Sequence, residues 1–434
     1  MIKFRPYQQA AIEAGLRCFE KATDSFIIQL PTGGGKTPVG MKIAVEGSKL
    51  IRSRGGGGRI LWVAHRDYLL KQAASALKMI DNSLQTAWWT SDKKEERGDI
   101  TFCMIGSTRT LEGEYDIIVF DEAHHFAEGD EEYDNMYSKL CKRLRWKYRI
   151  GLTATPGRTD ARKLSFDKVA YSIPFFDLVK KHRLAKPIYV EMPTKQRFHL
   201  QMRGGDFTRT SLKTLDDPER NAKIVKEWVN GRERYGKTIL FAPSVQTAID
   251  IQKEVARQLP EIESGVIYGE MADGDKAAVL EWFKKGSSKT PKILLNCMIF
   301  TEGYDESSIK TVIVARPTMS KTLWMQMVGR GSRIVTERGL LDPQTIQGIV
   351  PAGDDGISLI SFTNGWSCHG EIIDTLENGL LADLHIDDEF YLINVMDDIT
   401  HYANLIQEWT LDLYQPTEVQ LLAHAIKQEV LEAR

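Results

Sequence analysis

The stretch "LPTGGGKT", residues 30–37, has the composition of a phosphate-binding loop. It follows the apolar run "SFIIQL" and precedes a helical stretch, so it predicts a turn between a strand and a helix. Its three glycines would let backbone N–H groups face a polyphosphate, because no Cβ blocks the approach. Lys36 would place its charge on the β- and γ-phosphates, and Thr37 would offer a hydroxyl to Mg²⁺. A glycine turn with an incidental lysine is the alternative, and Leu30 stands where the general pattern has a small residue.

A pair of carboxylates supplies the second half of such a site. The stretch "YDIIVFDEAH", residues 115–124, predicts a strand that ends at Asp121. Asp121 could hold Mg²⁺ through water, and Glu122 stands where a base could orient the attacking water. Two surface acids after a strand are the alternative, but the phosphate loop and the carboxylate pair corroborate each other. Together they predict hydrolysis of a nucleoside triphosphate.

Short apolar runs alternate with helical stretches in two parts of the chain. This pattern indicates parallel sheets covered on both faces, so the predicted fold class is α/β with two tandem domains. The predicted strands are "SFIIQL", "RILWVA", "ITFCMI", "YDIIVFD" and "YRIGLTA" in the first domain, and "KTILFAP", "SGVIYG", "KILLNC" and "TVIVARP" in the second.

The predicted boundaries are residues 1–165 for the first domain, 166–235 for a connecting segment, 236–375 for the second domain and 376–434 for a small, acidic, mostly helical extension. In the connecting segment, "RFHLQMRGGDF" could be a hairpin that turns at Gly204–Gly205 or a surface excursion. The sequence shows no obvious long wedge insertion for strand separation, and residues 190–215 are the only candidate.

Composition and charge narrow the class of protein. No apolar run reaches the roughly 18–20 residues of a membrane span, and without an apolar signal core we expect no export. The five cysteines lack CxxC spacing, which argues against a disulfide framework or a zinc site and favours a reducing cytoplasm. Residues 380–434 hold 11 acidic and 2 basic side chains, which leaves a net charge of +7 on the remainder. A mildly basic body is compatible with a polyanionic partner.

The motifs and their order resemble those of superfamily-two helicases of the DEAH type, which are motors with two RecA-like domains. The resemblance covers about residues 3–370, and in the similar branch the residue at Leu30 is often not glycine. That branch contains XPB-like repair helicases, phage UvrW-like helicases and the motors of restriction enzymes. The motifs are "FRPYQ" (4–8), "PTGGGKT" (31–37), "VAHRDYLL" (63–70), "GSTRTL" (106–111), "DEAH" (121–124), "TATP" (153–156), "LFAPSVQTA" (240–248), "TEGYD" (301–305) and "QMVGRGSR" (326–333).

The resemblance implies ATP and Mg²⁺ as cofactors and assigns the nucleotide site residue by residue. Gln8, with Arg5 nearby, would recognise the adenine edge. Thr37 and Asp121 would be the metal ligands, and Gly303 and Asp305 would approach the nucleotide from the second domain. Nucleotide binding is assigned to Arg5, Gln8, Thr32, Gly33, Gly34, Gly35, Lys36, Thr37, Gly303 and Asp305. Catalysis is assigned to Lys36, Asp121, Glu122, Gln326, Arg330 and Arg333, of which the two arginines would stabilise transition-state charge.

The family resemblance also implies a nucleic-acid interface and a coupling element. Hydroxyls, amides and helix N-termini suit phosphate contacts that ignore base sequence, although each such residue could instead be a cap or turn. The predicted contacts are Arg66, Ser107, Thr108, Ser244, Asn296 and Thr301. The predicted coupling residues are His124, Thr153 and Thr155. Trp88 and Trp89 could stack on bases but are better explained as core, and Cys368 with His369 does not make a zinc site.

The resulting hypothesis is an ATP-dependent nucleic-acid motor, a DNA helicase that translocates on and unwinds DNA. Because the catalytic set is divided between two domains, hydrolysis would require closure, which a motor converts into movement. The alternatives are a duplex DNA translocase or remodeller, an RNA helicase, and the ATP-gated motor subunit of a larger complex. A protein partner could bind the acidic C-terminal region.

Overall fold

The structure is a computed structural model of the chain. It describes residues 2–95, 98–126, 136–154, 166–181, 183–203, 206–300, 306, 308–333 and 389–398. The chain divides into two compact units, Met1–Ile173 and Pro174–Arg434. The division falls within residues 166–235, the predicted connecting segment. Among the described helices, none is both long enough and apolar enough to cross a membrane.

A parallel sheet forms the centre of the first unit. Its strands are β1 (Ser25–Gln29), β2 (Ile60–Ala64), β3 (Thr86–Trp89), β4 (Ile100–Met104), β5 (Glu114–Asp121), β6 (Arg145–Thr153) and β7 (Lys168–Ser172). They lie in the order β3-β4-β2-β5-β6-β1-β7, and every pairing is parallel. Every residue of β2 is buried, and β1, β4 and β5 are buried over most of their length, because helices cover both faces of such a sheet.

Helices connect these strands wherever the apolar residues return at helical spacing. Within the described part of the unit they are α1 (Pro6–Glu20), α2 (Lys36–Ser53), α3 (Asp67–Ile80) and α4 (Met136–Arg143), together with the 3-10 helices Ile105–Thr110 and Ala123–His125. α1 starts at a proline, whose missing N–H would have no partner in the first turn anyway. α3 buries Leu70, Ala73 and Leu77, three and four residues apart, against the sheet.

An aromatic core supports the end of β5. The ring of Phe120 lies with its centroid 5.1 Å from that of Phe126 and 5.5 Å from that of Tyr137 on α4. Phe120 is fully buried, and burial of such a side chain contributes roughly 1.5–3 kcal/mol. Since β5 ends at the next residue, Asp121, this core fixes the position of the strand end that bears the carboxylate.

A second parallel sheet forms the centre of the second unit. Its strands are β8 (Lys186–Arg197), β11 (Lys237–Phe241), β12 (Ser264–Ile267), β13 (Lys292–Asn296), β14 (Thr311–Val314) and β15 (Glu389–Asp398), in the order β12-β13-β11-β14-β15-β8. The short strands β9 (Met202–Arg203) and β10 (Asp206–Phe207) pair antiparallel on either side of Gly204–Gly205. The described helices are α5 (Phe175–Lys180), α6 (Arg209–Leu212), α7 (Pro218–Tyr235), α8 (Val245–Gln258), α9 (Asp273–Lys284) and α10 (Lys321–Val328), together with the 3-10 helix Lys213–Leu215.

The predicted fold class, two tandem α/β units each built on a parallel sheet, is confirmed. Of the extension 376–434, which is expected to be mostly helical, the structure describes Glu389–Asp398, and this part is the strand β15, which was not predicted from the sequence. It lies between β14 and β8, with Leu392 and Ile393 buried. The physical reason is that β15 gains its burial from two strands distant in sequence, which local periodicity does not reveal.

Candidate nucleotide site

The glycine loop, residues 30–35, connects β1 to the first turn of α2. Gly33 and Gly35 have φ values of 88° and 84°, in the left-handed region that favours glycine. A Cβ on Gly35 would also lie 2.4 Å from Gln8 Nε2. The N–H of Gly34 donates to the carbonyl of Pro31 at 2.8 Å, which closes the turn. The N-terminus of the 18-residue helix α2 therefore adjoins a glycine turn, an arrangement that favours anions.

The side chains of Tyr7 and Gln8 hold this loop against the start of α1. Tyr7 Oη donates to the Gly34 carbonyl at 2.9 Å, and Gln8 Nε2 donates to the same oxygen at 3.1 Å. Gln8 Oε1 accepts from the Arg5 N–H at 3.0 Å. Gln8 thus links the segment predicted to recognise adenine to the phosphate loop. Sequence reasoning missed Tyr7, although it stands beside Gln8 in the quoted motif.

Two carboxylates meet the lysine and the threonine of the loop. Thr37 Oγ1 donates to Asp121 Oδ2 at 3.3 Å, and Lys36 Nζ lies 3.3 Å from Glu122 Oε1. The side chains of Lys36 and Glu122 are 10% and 9% exposed. Burial raises the pKa of Asp121, and the neighbouring charge of Glu122 raises it further. The site therefore concentrates negative charge that a cation would stabilise.

The β5–β6–β1 order brings three motifs to one edge of the sheet, because parallel strands end on the same side. The N–H of Leu30 donates to the Thr153 carbonyl at 3.1 Å, and Gln29 Nε2 donates to the Ala154 carbonyl at 3.4 Å. Thr153 is fully buried. The predicted coupling residue Thr155 lies outside the described residues. The first two residues of "TATP" thus accept hydrogen bonds from the residues at which the phosphate loop begins.

Three histidines lie in a row that starts at Glu122. His124 Nδ1 is 3.4 Å from Glu122 Oε2. The ring centroids of His124 and His125 are 4.3 Å apart, and those of His125 and His65 are 4.6 Å apart. His65 immediately precedes Arg66, which is exposed at the N-cap of α3. Sequence reasoning selected His124 but missed the row, because His125 and His65 are distant in sequence.

The residues of the "QMVGRGSR" motif (326–333), called motif VI below, lie at the end of α10 and directly after it in the second unit. Gln326 and Arg330 are 5% and 8% exposed, and Arg330 Nε donates to the Gln326 carbonyl at 3.2 Å. Arg333 is partly exposed. Ser320 Oγ caps α10 by accepting from the Leu323 N–H at 3.2 Å. The predicted nucleotide residues Gly303 and Asp305 lie outside the described residues.

The predicted nucleic-acid residues fall into two groups. Arg66 is exposed and Ser107 is half-buried. Thr108, Ser244 and Asn296 are buried and hold their own loops. The Thr108 hydroxyl donates to the Ile105 carbonyl at 2.7 Å, Ser244 Oγ accepts from the Thr247 N–H at 3.0 Å, and Asn296 Nδ2 donates to the Leu240 carbonyl at 3.0 Å. In these three residues the side chain acts as a cap or turn element, and Thr301 lies outside the described residues.

The remaining candidates have structural roles or are not described. Trp89 is 7% exposed and its Nε1 donates to the Ser107 carbonyl at 3.0 Å, while Trp88 packs on Phe102 at 5.1 Å between centroids. Cys368 and His369 lie outside the described residues. Among the described residues, no group of three or more His, Cys, Asp or Glu side chains could hold a metal ion, and the cysteines are free thiols.

Comparisons with known proteins match both units. The family described as "Type III restriction enzyme, res subunit" matches residues 1–158, and "Helicase conserved C-terminal domain" matches residues 219–335. IRC3 of Saccharomyces cerevisiae, named as an ATP-dependent helicase, is 26% identical over 353 residues, which are 76% of this chain and 49% of IRC3. The chain therefore spans about half the length of this relative. The DNA 3'-5' translocase XPB2 of Sulfurisphaera tokodaii is 24% identical, over 78% of this chain and 81% of XPB2.

A solved structure has the same fold. The ATP-dependent Type ISP restriction-modification enzyme LlaBIII, bound to DNA, superposes with a TM-score of 0.60 and 17% sequence identity. The match covers 96% of this chain and 33% of that chain. At this identity the likeness concerns the fold alone, and it agrees with the two parallel α/β units.

Proposed function

Because the chain belongs to the superfamily-two helicases of the restriction-motor type, we propose that it hydrolyses ATP to translocate on DNA and to separate its strands. The observation that carries this proposal is the meeting of Lys36 with Glu122 and of Thr37 with Asp121, each at 3.3 Å, beside the glycine loop. A cation, a hydroxyl and two carboxylates around an anion-binding turn are the groups that phosphoryl transfer to water requires.

In this proposal the glycine loop, with Thr32, binds the phosphates, and Lys36 neutralises charge on the β- and γ-phosphates. Thr37 and Asp121 fit Mg²⁺, since a hydroxyl and a carboxylate are the hard oxygen ligands that it prefers. When bound, the ion would neutralise charge that develops on the transferred phosphoryl group. Gln8 positions the adenine end, because its amide is held between Arg5 and Gly34.

We assign the general base to Glu122, the acid of "DEAH" that follows Asp121. It is held by Lys36 on one carboxylate oxygen and lies 3.4 Å from His124 on the other, so its orientation is fixed before a water arrives. Gln326, Arg330 and Arg333 are proposed to complete the catalytic set from the second unit. Gly303 and Asp305 keep their predicted roles in nucleotide binding.

We propose Arg66 and Ser107 as phosphate contacts in the first unit. Arg66 is exposed at a helix N-terminus, where charge and backbone N–H groups suit a phosphate. Thr108, Ser244 and Asn296 would act indirectly, by shaping loops next to the strand, and Thr301 keeps its predicted role. DNA is favoured over RNA because XPB2 is named as a DNA translocase and LlaBIII is bound to DNA.

The histidine row and the backbone link to Thr153 are proposed to couple the two activities. His124 lies beside the catalytic carboxylate, and His65 is adjacent in sequence to Arg66. A phosphate contact at Arg66 could therefore shift Glu122 through packed imidazoles. Thr153 and Thr155 would serve the second route, through the phosphate loop.

The name of XPB2 also favours a second candidate function, translocation on duplex DNA without strand separation.

We further propose that the protein acts in a reducing, cytoplasmic compartment. We also propose that a protein partner binds the acidic region 380–434. Co-purification of a stable partner, and its loss when this region is truncated, would support the proposal that the region binds a protein.

The experiment that tests the proposal is the steady-state ATPase rate at one stated salt concentration, first without nucleic acid and then with four substrates. They are single-stranded DNA, duplex DNA, a forked duplex and RNA. Preference for the fork supports unwinding, and preference for the plain duplex supports translocation. Stimulation by RNA alone contradicts the choice of DNA, and a flat response contradicts a coupled motor.

A further inference from the structure

A segment that runs from the end of β8 through α6 is not explained by the ATPase motifs. Residues 195–213 hold five basic side chains and one acidic side chain. The next two acids, Asp216 and Asp217, accept hydrogen bonds from Asn221 and Arg220 at the start of α7. Arg203, Arg209 and Lys213 are exposed, and Met202 beside them is 54% exposed. We refer to residues 201–203 and 206–213 as the basic hairpin. An exposed apolar side chain among cations is a composition that suits a nucleic-acid strand, which offers both phosphates and stacked bases.

The base of the basic hairpin is held by hydrogen bonds and burial. β9 pairs with β10, and the Thr208 N–H donates to the Gln201 carbonyl at 2.8 Å. Thr208 Oγ1 accepts from the Ser211 N–H at 3.2 Å and so caps α6. Phe207 and Leu212 are 7% and 1% exposed. The cations are therefore presented from an ordered base.

Asp206, the acid within residues 195–213, is occupied within the protein. Asp206 Oδ2 lies 3.4 Å from both Nη atoms of Arg316, which is buried. Asp206 Oδ1 accepts from Thr318 Oγ1 at 3.0 Å and from the Met319 N–H at 2.8 Å. Asp206 thus does not cancel the exposed positive charge, and it binds the hairpin to the loop that follows β14.

That loop leads directly into the helix of motif VI. Thr318 Oγ1, which donates to Asp206, also accepts from the Ser320 N–H at 3.0 Å. Ser320 in turn caps α10, and Arg330 and Arg333 follow the end of α10. A continuous set of hydrogen bonds therefore connects the hairpin to the start of the helix that precedes the two arginines.

We infer that the basic hairpin binds the phosphate backbone of the DNA and that Asp206 is a positioning residue that transmits this contact to motif VI. The inference rests on the proposed function and adds to it a contact in the second unit, outside all of the quoted motifs. It also gives the connecting segment a role in stimulation of the ATPase.

The first test is the salt dependence of DNA binding. The triple variant Arg203→Ala, Arg209→Ala, Lys213→Ala removes three exposed charges from the hairpin. The matched control Lys284→Ala, Lys285→Ala, Lys289→Ala removes three exposed charges from the end of α9 and the loop that leads into β13, outside the hairpin. Binding to a labelled single-stranded DNA and to its duplex is measured by fluorescence anisotropy over a range of salt concentrations.

We expect the slope of log K against log salt to become shallower by about 2–3 in the hairpin variant and to stay unchanged in the control. Equal slopes in the two variants would overturn the hairpin as a phosphate contact. Absence of DNA binding by the unmodified protein would instead refute the proposed function itself, so the two failures are distinguishable.

The second test separates positioning from binding. Asp206→Ala should lower the maximal DNA-stimulated kcat about two- to thirtyfold and change the KM for DNA much less. Asp206→Asn keeps an oxygen acceptor for Thr318 and Met319 and should restore part of the rate. If Asp206→Ala does not fold, Asp206→Asn is used instead, and the change in its stimulated kcat is again compared with the change in its KM for DNA. An unchanged stimulated kcat, or a loss confined to the KM for DNA, would overturn the positioning role.

Discussion

If Glu122 is the general base, its replacement by glutamine should separate ATP binding from hydrolysis. Glutamine has nearly the same volume and keeps a carbonyl oxygen that can face Lys36 Nζ, 3.3 Å from Glu122 Oε1. It cannot accept the proton of the attacking water. A positioned general base contributes roughly 10²–10⁴ in rate, so kcat should fall by that factor, which corresponds to about 3–5 kcal/mol in activation free energy.

The structure also predicts that the Glu122→Gln variant folds. Loss of the ion pair with Lys36 would cost stability, but removal of the charge beside Asp121 relieves the repulsion that helps to raise the pKa of Asp121. Residue 122 has φ of 57°, and glutamine bears the same left-handed strain as glutamate. We therefore expect the free energy of unfolding to change by at most about 1 kcal/mol, which is a melting shift of about 2–4 °C.

The assay is single-turnover hydrolysis together with a fluorescence titration of ATP. The control variant is Glu112→Gln, which neutralises an exposed carboxylate outside the site. We expect an ATP affinity within about threefold of the unmodified protein, because uniform binding is retained. A kcat within about tenfold of the unmodified value, in a folded variant that binds ATP normally, would refute the assignment of Glu122 as the base.

Three further variants test this site and its surroundings, and a fourth tests the pH dependence of stability near the other end of β5. Lys36→Ala should lower ATP affinity and turnover together, as measured by titration and by steady-state rates. Gln8→Ala removes a donor to the Gly34 carbonyl and should lower both the ATP affinity and the preference for ATP over GTP, measured by competition. His65→Ala should reduce the ratio of DNA-stimulated to unstimulated ATPase rates if the histidine row couples them. Burial raises the pKa of Asp116, but hydrogen bonds from Lys147 and a backbone N–H lower it more, so the folded pKa lies below its ordinary value. The resulting stability is present at neutral pH and is lost as the pH falls below about 4; denaturant titrations should show a smaller loss over that range in Asp116→Asn.

The interior strands and the nucleotide motifs could be predicted because each depends on residues that are close in sequence. β2 is an unbroken apolar run, and the glycine loop and the "DEAH" carboxylates each occupy a few consecutive positions. The strands that were not predicted gain their stability from distant partners. β3 and β7 are edge strands with exposed residues, and β8 contains Pro187 and Pro193, which are tolerated at an edge.

The candidate site likewise contains features that the local sequence predicts and features that depend on the fold. The proposed roles of Lys36 and Asp121 follow from local pattern, whereas the internal bonds of Thr108, Ser244 and Asn296 depend on the conformations of their loops. A hydroxyl or amide in a motif suits a phosphate contact and a cap equally well, because both use the same donor and acceptor atoms. Only burial distinguishes the two, and burial is a property of the fold.

The two coupling routes proposed for the first unit differ in what a mutation can remove. The route from Leu30 to Thr153 runs through a backbone hydrogen bond, which side-chain substitution leaves in place. The route from Glu122 through the histidine row depends on ring contacts of 4.3 and 4.6 Å, which alanine abolishes. The stimulation that remains in a His65→Ala variant therefore measures the other routes, including that through Asp206. If a double variant His65→Ala, Asp206→Ala loses more than the sum of the two single losses in free energy, the routes act on one common step rather than on separate ones.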